Sequence, residues 1–259
     1  MRWQSVPGRN SVPGPDPIAL TTVESQPFAL MHATRAAVVA SVVYVVAGLA
    51  WAWSGWQPGP PLLVTAWIVV VAAAGAFVPG IANQVTLARA YLAAPALVYA
   101  MAPGGFGPLA VTVAIAGLTD LVDGTIARRT RAVSSFGGGL DPVVDGIFIG
   151  AMGLGLTAAG AIPLWLALVA VARYVLPAAG GAVLMLRRKR VDFRHTLTGQ
   201  ISTTLNLVLI GGVALLRGLN LDPKNLVLGA EIVIPVATVA TFVHLALALR
   251  RWAKATGPA

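Results

Sequence analysis

Eight apolar segments, each close to the ~20 residues that cross a bilayer, constrain the fold of this chain more than any other feature. Glycine, proline or charged residues bound each segment, and the approximate ranges are 34–56, 61–79, 84–102, 106–127, 138–160, 162–186, 198–216 and 227–249. Only 10% of the residues are charged, whereas a soluble domain carries about 25%. So few charges could not cover the surface of a soluble protein. The sequence therefore predicts an all-α fold, a polytopic transmembrane helical bundle.

The two ends of the chain differ from this apolar region. Residues 1–32 are rich in Pro, Gly and Ser and have no helical period, which is typical of a disordered tail. The membrane region is predicted to begin near Ala33, and residues 253–259 form a second, short tail. We expect both tails to be cytoplasmic.

The distribution of lysine and arginine predicts the orientation. With eight spans the two termini share one side of the membrane, and nearly all basic residues fall on that side. Only Arg217 and Lys224 fall on the opposite side, and Arg173 lies within a span. Because cytoplasmic loops carry the excess of Lys and Arg, we predict a multi-pass protein of the cell (inner) membrane. Its loops 128–137 and 187–197 and both termini should face the cytoplasm.

The net charge of +9 fits loops that face anionic lipid. No motif indicates nucleic-acid binding, so we expect the bilayer to be the partner of these charges. The chain has no cysteine, which excludes disulfides and thiolate metal sites.

Four aspartates lie where the chain leaves and re-enters the membrane. Asp120 and Asp123 are three residues apart, and Asp141 and Asp145 are four apart, so each pair shares one helix face. A hairpin could bring all four carboxylates together, and their charges would then require cations. Oxygen ligands suit Mg²⁺, Mn²⁺ or Ca²⁺, and two such ions form a clamp for phosphoryl chemistry. The alternative is a set of interfacial aspartates balanced by the arginines between 128 and 131.

Small residues and an arginine accompany the aspartates. Gly124 and Ala127 leave a smooth helix surface that a ligand can approach. Arg128 follows one turn later and can bind a phosphate through its planar guanidinium. Residues 137–139 are glycines that would let the connecting loop fold tightly. The alternative for the small residues is a role in helix packing.

The stretch resembles the signature of the CDP-alcohol phosphotransferase (CDP-alcohol phosphatidyltransferase) family, D-x2-D-G-x2-A-R-x8-G-x3-D-x3-D. Every fixed position is filled, by Asp120, Asp123, Gly124, Ala127, Arg128, Gly137, Asp141 and Asp145. The resemblance extends to the polar start of the third segment and to an arginine of the sixth, represented here by Asn83, Thr86, Arg89 and Arg173. It implies a six-helix core over about residues 81–252, preceded by two additional transmembrane helices in residues 33–80.

The resemblance implies an enzyme that transfers a phosphatidyl group from CDP-diacylglycerol to a hydroxyl acceptor in phospholipid biosynthesis and releases CMP. Two divalent ions, Mg²⁺ or Mn²⁺, would be the cofactors. Asp120, Asp123, Asp141 and Asp145 would hold them, and Asp145 would also act as the general base.

The same resemblance implies a donor site on the small-residue face. Gly124 and Ala127 would receive the cytidine nucleotide, and Arg128 would assist at its phosphates. The remaining donor-binding residues would be Asn83, Thr86 and Gly137.

The acceptor is less defined than the donor. A phosphorylated acceptor would suit Arg173, together with Arg187 and Arg194 in the basic loop that follows the sixth segment. Alternatively, Arg173 is a structural arginine and the loop is a topology signal. Relatives that use glycerol phosphate commonly carry lysines where this chain has Gly146 and Gln200, which weakens an assignment to glycerol 3-phosphate.

Several acceptors and one other class of function therefore stay open. A small polyol phosphate, such as glycerol 3-phosphate or inositol phosphate, is the first expectation. Phosphatidylglycerol, which would give cardiolipin, is an alternative, as is phosphocholine or phosphoethanolamine transfer from a CDP-alcohol to diacylglycerol. Outside this class, the same carboxylates could serve a divalent-cation transporter. The sequence leaves both a monomer and a homodimer open.

Overall fold

The computed structural model describes residues 35–130, 137–186 and 197–255, and the regular structure in these ranges is α-helical throughout. Eight helices follow one another: α1 Arg35–Ala52, α2 Pro61–Gly75, α3 Ile81–Met101, α4 Phe106–Thr130, α5 Gly137–Ala158, α6 Leu164–Leu186, α7 Leu197–Gly218 and α8 Lys224–Ala255. The predicted all-α bundle is confirmed for this part of the chain. The predicted N-terminal tail and the basic loop with Arg187 and Arg194 lie outside the described residues.

The outer surface of the bundle is apolar. Within the described ranges, three helical stretches are long and apolar enough to cross a membrane, namely Arg35–Ala52, Leu140–Ala158 and Lys224–Leu247. Four other helices carry shorter apolar stretches of 10–17 residues. One face of α8 exposes a continuous row of large apolar side chains, Leu228, Ile232, Val236, Val239, Val243 and Leu247. Such a surface suits lipid rather than water.

Six of the helices close into a ring. Helix α3 packs against α4 and α5, α4 against α7, α7 against α8, α8 against α6, and α6 against α5. The α5 side chains Phe148, Met152 and Leu156 are fully buried in the core of this ring. A Cβ at Gly155 would lie 2.5 Å from the Cβ of Ala100, so only glycine permits this close approach of α5 to α3.

Helices α1 and α2 pack against each other and against α3, outside the ring. The side-chain amide of Gln84 donates hydrogen bonds to the carbonyls of Gly75 (2.8 Å) and Val78 (2.7 Å), where α2 ends. The Tyr44 hydroxyl of α1 donates to the carbonyl of Gln84 at 3.1 Å. Hydrogen bonds therefore join the N-terminal turns of α3, which precede Arg89, to α1 and to the end of α2.

Candidate active site

A buried arginine joins three helices of the ring. Arg89 of α3 places its Nη1 2.5 Å from Oδ1 of Asp120 on α4 and 2.8 Å from Oδ1 of Asp145 on α5. We call this arrangement the Arg89 bridge. Since both carboxylate oxygens lie within 2.8 Å of one nitrogen, the two halves of the aspartate pattern are close neighbours in space.

The two bridged aspartates differ in their surroundings. The Asp120 side chain is 50% exposed, whereas that of Asp145 is 13% exposed. Asp141 is half-buried and lies one turn before Asp145 on the same face of α5. The site thus has an open side at Asp120 and an enclosed side at Asp145, where a carboxylate is poorly hydrated.

Carboxylates are suitable ligands for divalent cations. The carboxylates described in this structure do not, however, form a complete metal-binding group. Among the described residues no three Asp, Glu, His or Cys side chains lie close enough to hold an ion together. The side chain of Asp123, the remaining predicted ligand, is not among those described. Asp120, Asp141 and Asp145 offer the carboxylate oxygens that hard cations prefer. One Arg89 charge also faces two carboxylates at the bridge, an arrangement in which further positive charge is favourable.

The predicted donor-binding residues of α3 bond to the backbone of their own segment. The Asn83 amide donates to the carbonyl of Pro79 at 2.6 Å, and the Thr86 hydroxyl donates to the carbonyl of Ala82 at 3.2 Å. Thr86 lies one turn before Arg89, so both residues share one side of α3. Their contact with a donor stays a prediction.

The remaining donor-binding residues are only partly described. Gly124 is half-buried on α4, and Ala127 and Arg128 belong to the same helix, although the side chains of both lie outside the described part. Gly137 begins α5, so the three glycines at 137–139 form the first turn of a helix. The expectation that they belong to the connecting loop is wrong, because the helix extends to its glycine-rich start.

Helices α6 and α7 form a polar wall beside Asp145. Arg173 is buried on α6, and its Nη2 donates to the hydroxyl of Thr203 on α7 at 3.1 Å. Its neighbour Tyr174 packs directly against Gly146, the residue after Asp145, where an added Cβ would lie 2.9 Å from the Cβ of Tyr174. The predicted acceptor residue Arg173 therefore lies in the wall next to the enclosed side of the site.

The prediction from the sequence gave no role to two groups of residues. Arg89 was assigned only to the polar start of a helix, yet it is the residue that joins Asp120 and Asp145. The buried polar residues Ser202 and Asn206 of α7 were not considered at all. In both cases the available signal is a polar side chain inside an apolar span, which is costly and therefore marks function.

Known proteins resemble this chain to different extents. A probable cardiolipin synthase (CMP-forming) of Drosophila melanogaster is 37% identical over 105 residues, which are 40% of this chain and 32% of that protein. A CDP-diacylglycerol–glycerol-3-phosphate 3-phosphatidyltransferase of Bacillus subtilis is 28% identical over 147 residues, 51% of this chain and 75% of that protein. A probable phosphatidylglycerophosphate synthase of Mycobacterium tuberculosis is 30% identical over 178 residues, 66% of this chain and 83% of that protein.

The match to the cardiolipin synthase spans about a third of that protein's length, 32%. The match to the mycobacterial protein, by contrast, spans most of its length, 83%. The family model described as CDP-alcohol phosphatidyltransferase matches residues 80–252, which contain the Arg89 bridge and all of the six-helix ring except the last three residues of α8. The chain therefore belongs to the CDP-alcohol phosphatidyltransferase family.

Proposed function

We propose that this protein is a membrane enzyme that transfers a phosphatidyl group from CDP-diacylglycerol to a hydroxyl of a glycerol-type acceptor and releases CMP. The observation that carries the proposal is the Arg89 bridge, which unites Asp120 and Asp145 from the two ends of the family signature. The donor is supported by relatives whose names include CDP-diacylglycerol and CMP-forming. Such a reaction belongs to phospholipid biosynthesis.

Metal ions enter the proposal through the family, whose members generally depend on divalent cations. Asp120, Asp123, Asp141 and Asp145 would hold two ions, Mg²⁺ or Mn²⁺, which when bound supply positive charge to the donor pyrophosphate and the leaving CMP. Arg89 fixes the carboxylates of Asp120 and Asp145 relative to each other. The ligand oxygens of α4 and α5 are thereby positioned before any substrate binds.

Asp145 is the proposed general base. The acceptor oxygen forms a bond to the phosphatidyl phosphorus, the bond from that phosphorus to the CMP oxygen breaks, and the acceptor proton passes to the Asp145 carboxylate. The Asp145 side chain is only 13% exposed, so few water molecules compete for this carboxylate or for the phosphorus. Arg89 binds its Oδ1 and orients the carboxylate.

A glycerol hydroxyl is the proposed acceptor group, and it has two sources. The relatives are named as a phosphatidyltransferase for glycerol 3-phosphate and as a cardiolipin synthase. Tyr174 packs beside Gly146, the position at which the family resemblance implies a lysine in enzymes that use glycerol phosphate. This chain lacks that positive charge. Phosphatidylglycerol, with its single negative charge, is therefore the second candidate acceptor beside glycerol 3-phosphate.

The proposal is tested by incubating the purified protein with CDP-diacylglycerol, Mg²⁺ or Mn²⁺, and either glycerol 3-phosphate or phosphatidylglycerol. We expect CMP release with at least one acceptor and a lipid product whose mass identifies it as phosphatidylglycerophosphate or cardiolipin. Asp145→Asn serves as the inactive control. Absence of CMP with both acceptors, in a preparation that remains folded, would contradict the proposal.

The orientation is part of the proposal. The site faces the cytoplasm of a cell membrane, with both termini on the same side, because the positive residues cluster on that side of the chain. A homodimer is compatible with this arrangement.

A further inference from the structure

Three buried polar side chains lie in the wall between α6 and α7. Tyr174, Ser202 and Asn206 are 4%, 2% and 0% exposed, and we call them the polar cluster. The Ser202 hydroxyl has no hydrogen-bond partner among the described residues, and the Tyr174 hydroxyl and the Asn206 amide lie close together without a hydrogen bond of normal geometry. A buried polar group without a partner costs free energy, so a cluster of them in an apolar bundle needs a reason.

The polar cluster occupies one end of an otherwise apolar helix face. Ser202 and Asn206 are one turn apart on α7, and the next residues of that face are Ile210 and Val213, which are fully buried and apolar. The Tyr174 hydroxyl lies near Asn206. The polar part of this helix face therefore ends where the apolar core of the ring begins.

The polar cluster also lies next to the proposed chemistry. Tyr174 packs against Gly146, which follows Asp145 in the chain. Arg173, beside Tyr174, is bonded to Thr203, which follows Ser202. The cluster is therefore bounded by the proposed base on one side and by a positive charge on the other.

The chemistry of the polar cluster selects a class of ligand group. Hydroxyls of Ser and Tyr both donate and accept, and the Asn amide offers two donors and an acceptor oxygen. The cluster has no charge of its own, so it suits neutral hydroxyl groups better than a phosphate. Arg173 is the residue in this wall that suits a phosphate.

We propose that Tyr174, Ser202 and Asn206 form a subsite that binds the hydroxyl adjacent to the reacting hydroxyl of a glycerol-type acceptor. This inference rests on the proposed function and adds the residues that determine acceptor specificity. A site built to hydrogen-bond a hydroxyl rejects an analogue that lacks it, because its buried polar groups are then left unpaired. Glycerol acceptors should therefore be preferred over acceptors with a single hydroxyl.

The test compares each acceptor with its deoxy analogue in the purified full-length protein. Glycerol 3-phosphate is paired with 3-hydroxypropyl phosphate, and phosphatidylglycerol with phosphatidyl-1,3-propanediol, so that the two arms also distinguish a free phosphate from a lipid head group. We expect the wild type to prefer the glycerol acceptor by about 10- to 100-fold in kcat/KM, which is the cost of leaving one buried polar group unpaired. Asn206→Leu, which keeps the branched shape of the side chain but removes its polar atoms, should bring this ratio close to one.

A matched control separates the subsite from general packing. Ser202→Ala should lower the ratio, whereas Ser41→Ala should leave it unchanged, because Ser41 is also a buried serine but lies on α1 outside the ring. The thermal midpoint of Asn206→Leu should equal or exceed that of the wild type, because an unpaired amide is replaced by an apolar group.

The outcomes distinguish the two proposals. The subsite is overturned if Asn206→Leu forms CMP and keeps the wild-type ratio of kcat/KM between the glycerol acceptor and its deoxy analogue. This holds whether or not the thermal midpoint of the variant is lowered. Failure of the wild type to form CMP with either glycerol acceptor overturns the proposed function and the subsite with it. CMP formation with a ratio that falls only in the polar-cluster variants supports both.

Discussion

The guanidinium of Arg89 on α3 lies 2.8 Å from the carboxylate of Asp145 on α5. Because Arg89 is buried and also contacts Asp120, its removal leaves two carboxylates facing each other without this counter-ion. We expect Arg89→Ala to reduce CMP formation at least ~100-fold, as the loss of a positioned catalytic group does. It should also destabilise the protein by roughly 3 kcal/mol, the low end for buried ion pairs, since Asp120 is half exposed.

The rate of CMP release and the thermal midpoint in detergent measure both effects. Arg89→Lys keeps the charge but shortens the reach, so it should retain part of the stability and little of the activity. Arg35→Ala, at the exposed first residue of α1, is the control. Full activity in Arg89→Ala would show that the bridge is dispensable.

The second prediction concerns the base and the metal ions. Asp145→Asn keeps the size of the side chain but removes its charge and basicity, so CMP release should fall by about 10²–10⁴-fold. EDTA should abolish the activity of the wild type, and Mg²⁺ or Mn²⁺ should restore it. Asp222→Asn is the matched control, because Asp222 lies before α8, where it accepts a hydrogen bond of 3.0 Å from the Lys224 amide. Undiminished activity in EDTA would rule out the metal ions.

The third prediction concerns the contact of Gly146 with Tyr174. Gly146→Ala places a Cβ 2.9 Å from the Cβ of Tyr174, so α5 and α6 must separate slightly. We expect a loss of roughly 1–3 kcal/mol in stability and a lowered kcat, because Asp145 is the preceding residue. Gly229→Ala on α8, where an added Cβ meets no atom within 4 Å, should be tolerated. Equal thermal midpoints for the two variants would contradict the close packing.

The fourth prediction concerns orientation. The chain has no native cysteine, so single cysteines can be introduced and labelled with an impermeant thiol reagent. Arg131→Cys should be labelled only after the cells are permeabilised, whereas Leu221→Cys, exposed between α7 and α8, should be labelled in intact cells. The reverse pattern would show that the site faces the outside.

The helices could be predicted from the sequence because apolar length decides them, but their ends could not. Helix α2 ends at Gly75 rather than at residue 79, because the apolar residues Phe77 and Val78 already belong to the turn before Pro79. Helix α8 begins at Lys224 rather than at residue 227, because its first two residues, Lys224 and Asn225, are polar and the Lys224 amide donates a hydrogen bond to Asp222. Hydropathy marks the membrane-facing part of a helix and not its capped ends.

The site could be predicted only in part, for a related reason. The spacing of Asp120 and Asp145 relative to their neighbours placed them on helix faces, and the structure shows both on helices. The pairing of both with Arg89 is a contact between helices distant in sequence, which periodicity within one helix does not encode. The same is true of Asn206, whose significance depends on the partners it lacks.

The Arg89 bridge has a thermodynamic consequence. Asp120 lies on the open side of the site and Asp145 on the enclosed side, and one nitrogen serves both. A donor that draws Arg89 toward the open side weakens its hold on Asp145, so donor binding changes the affinity for the acceptor. Linkage then requires the acceptor to change the donor affinity by the same factor. In the inactive Asp145→Asn variant, donor dissociation constants measured with and without acceptor should differ, and the added Arg89→Lys change should bring them together. The two substrates would therefore bind as a reciprocal pair rather than independently.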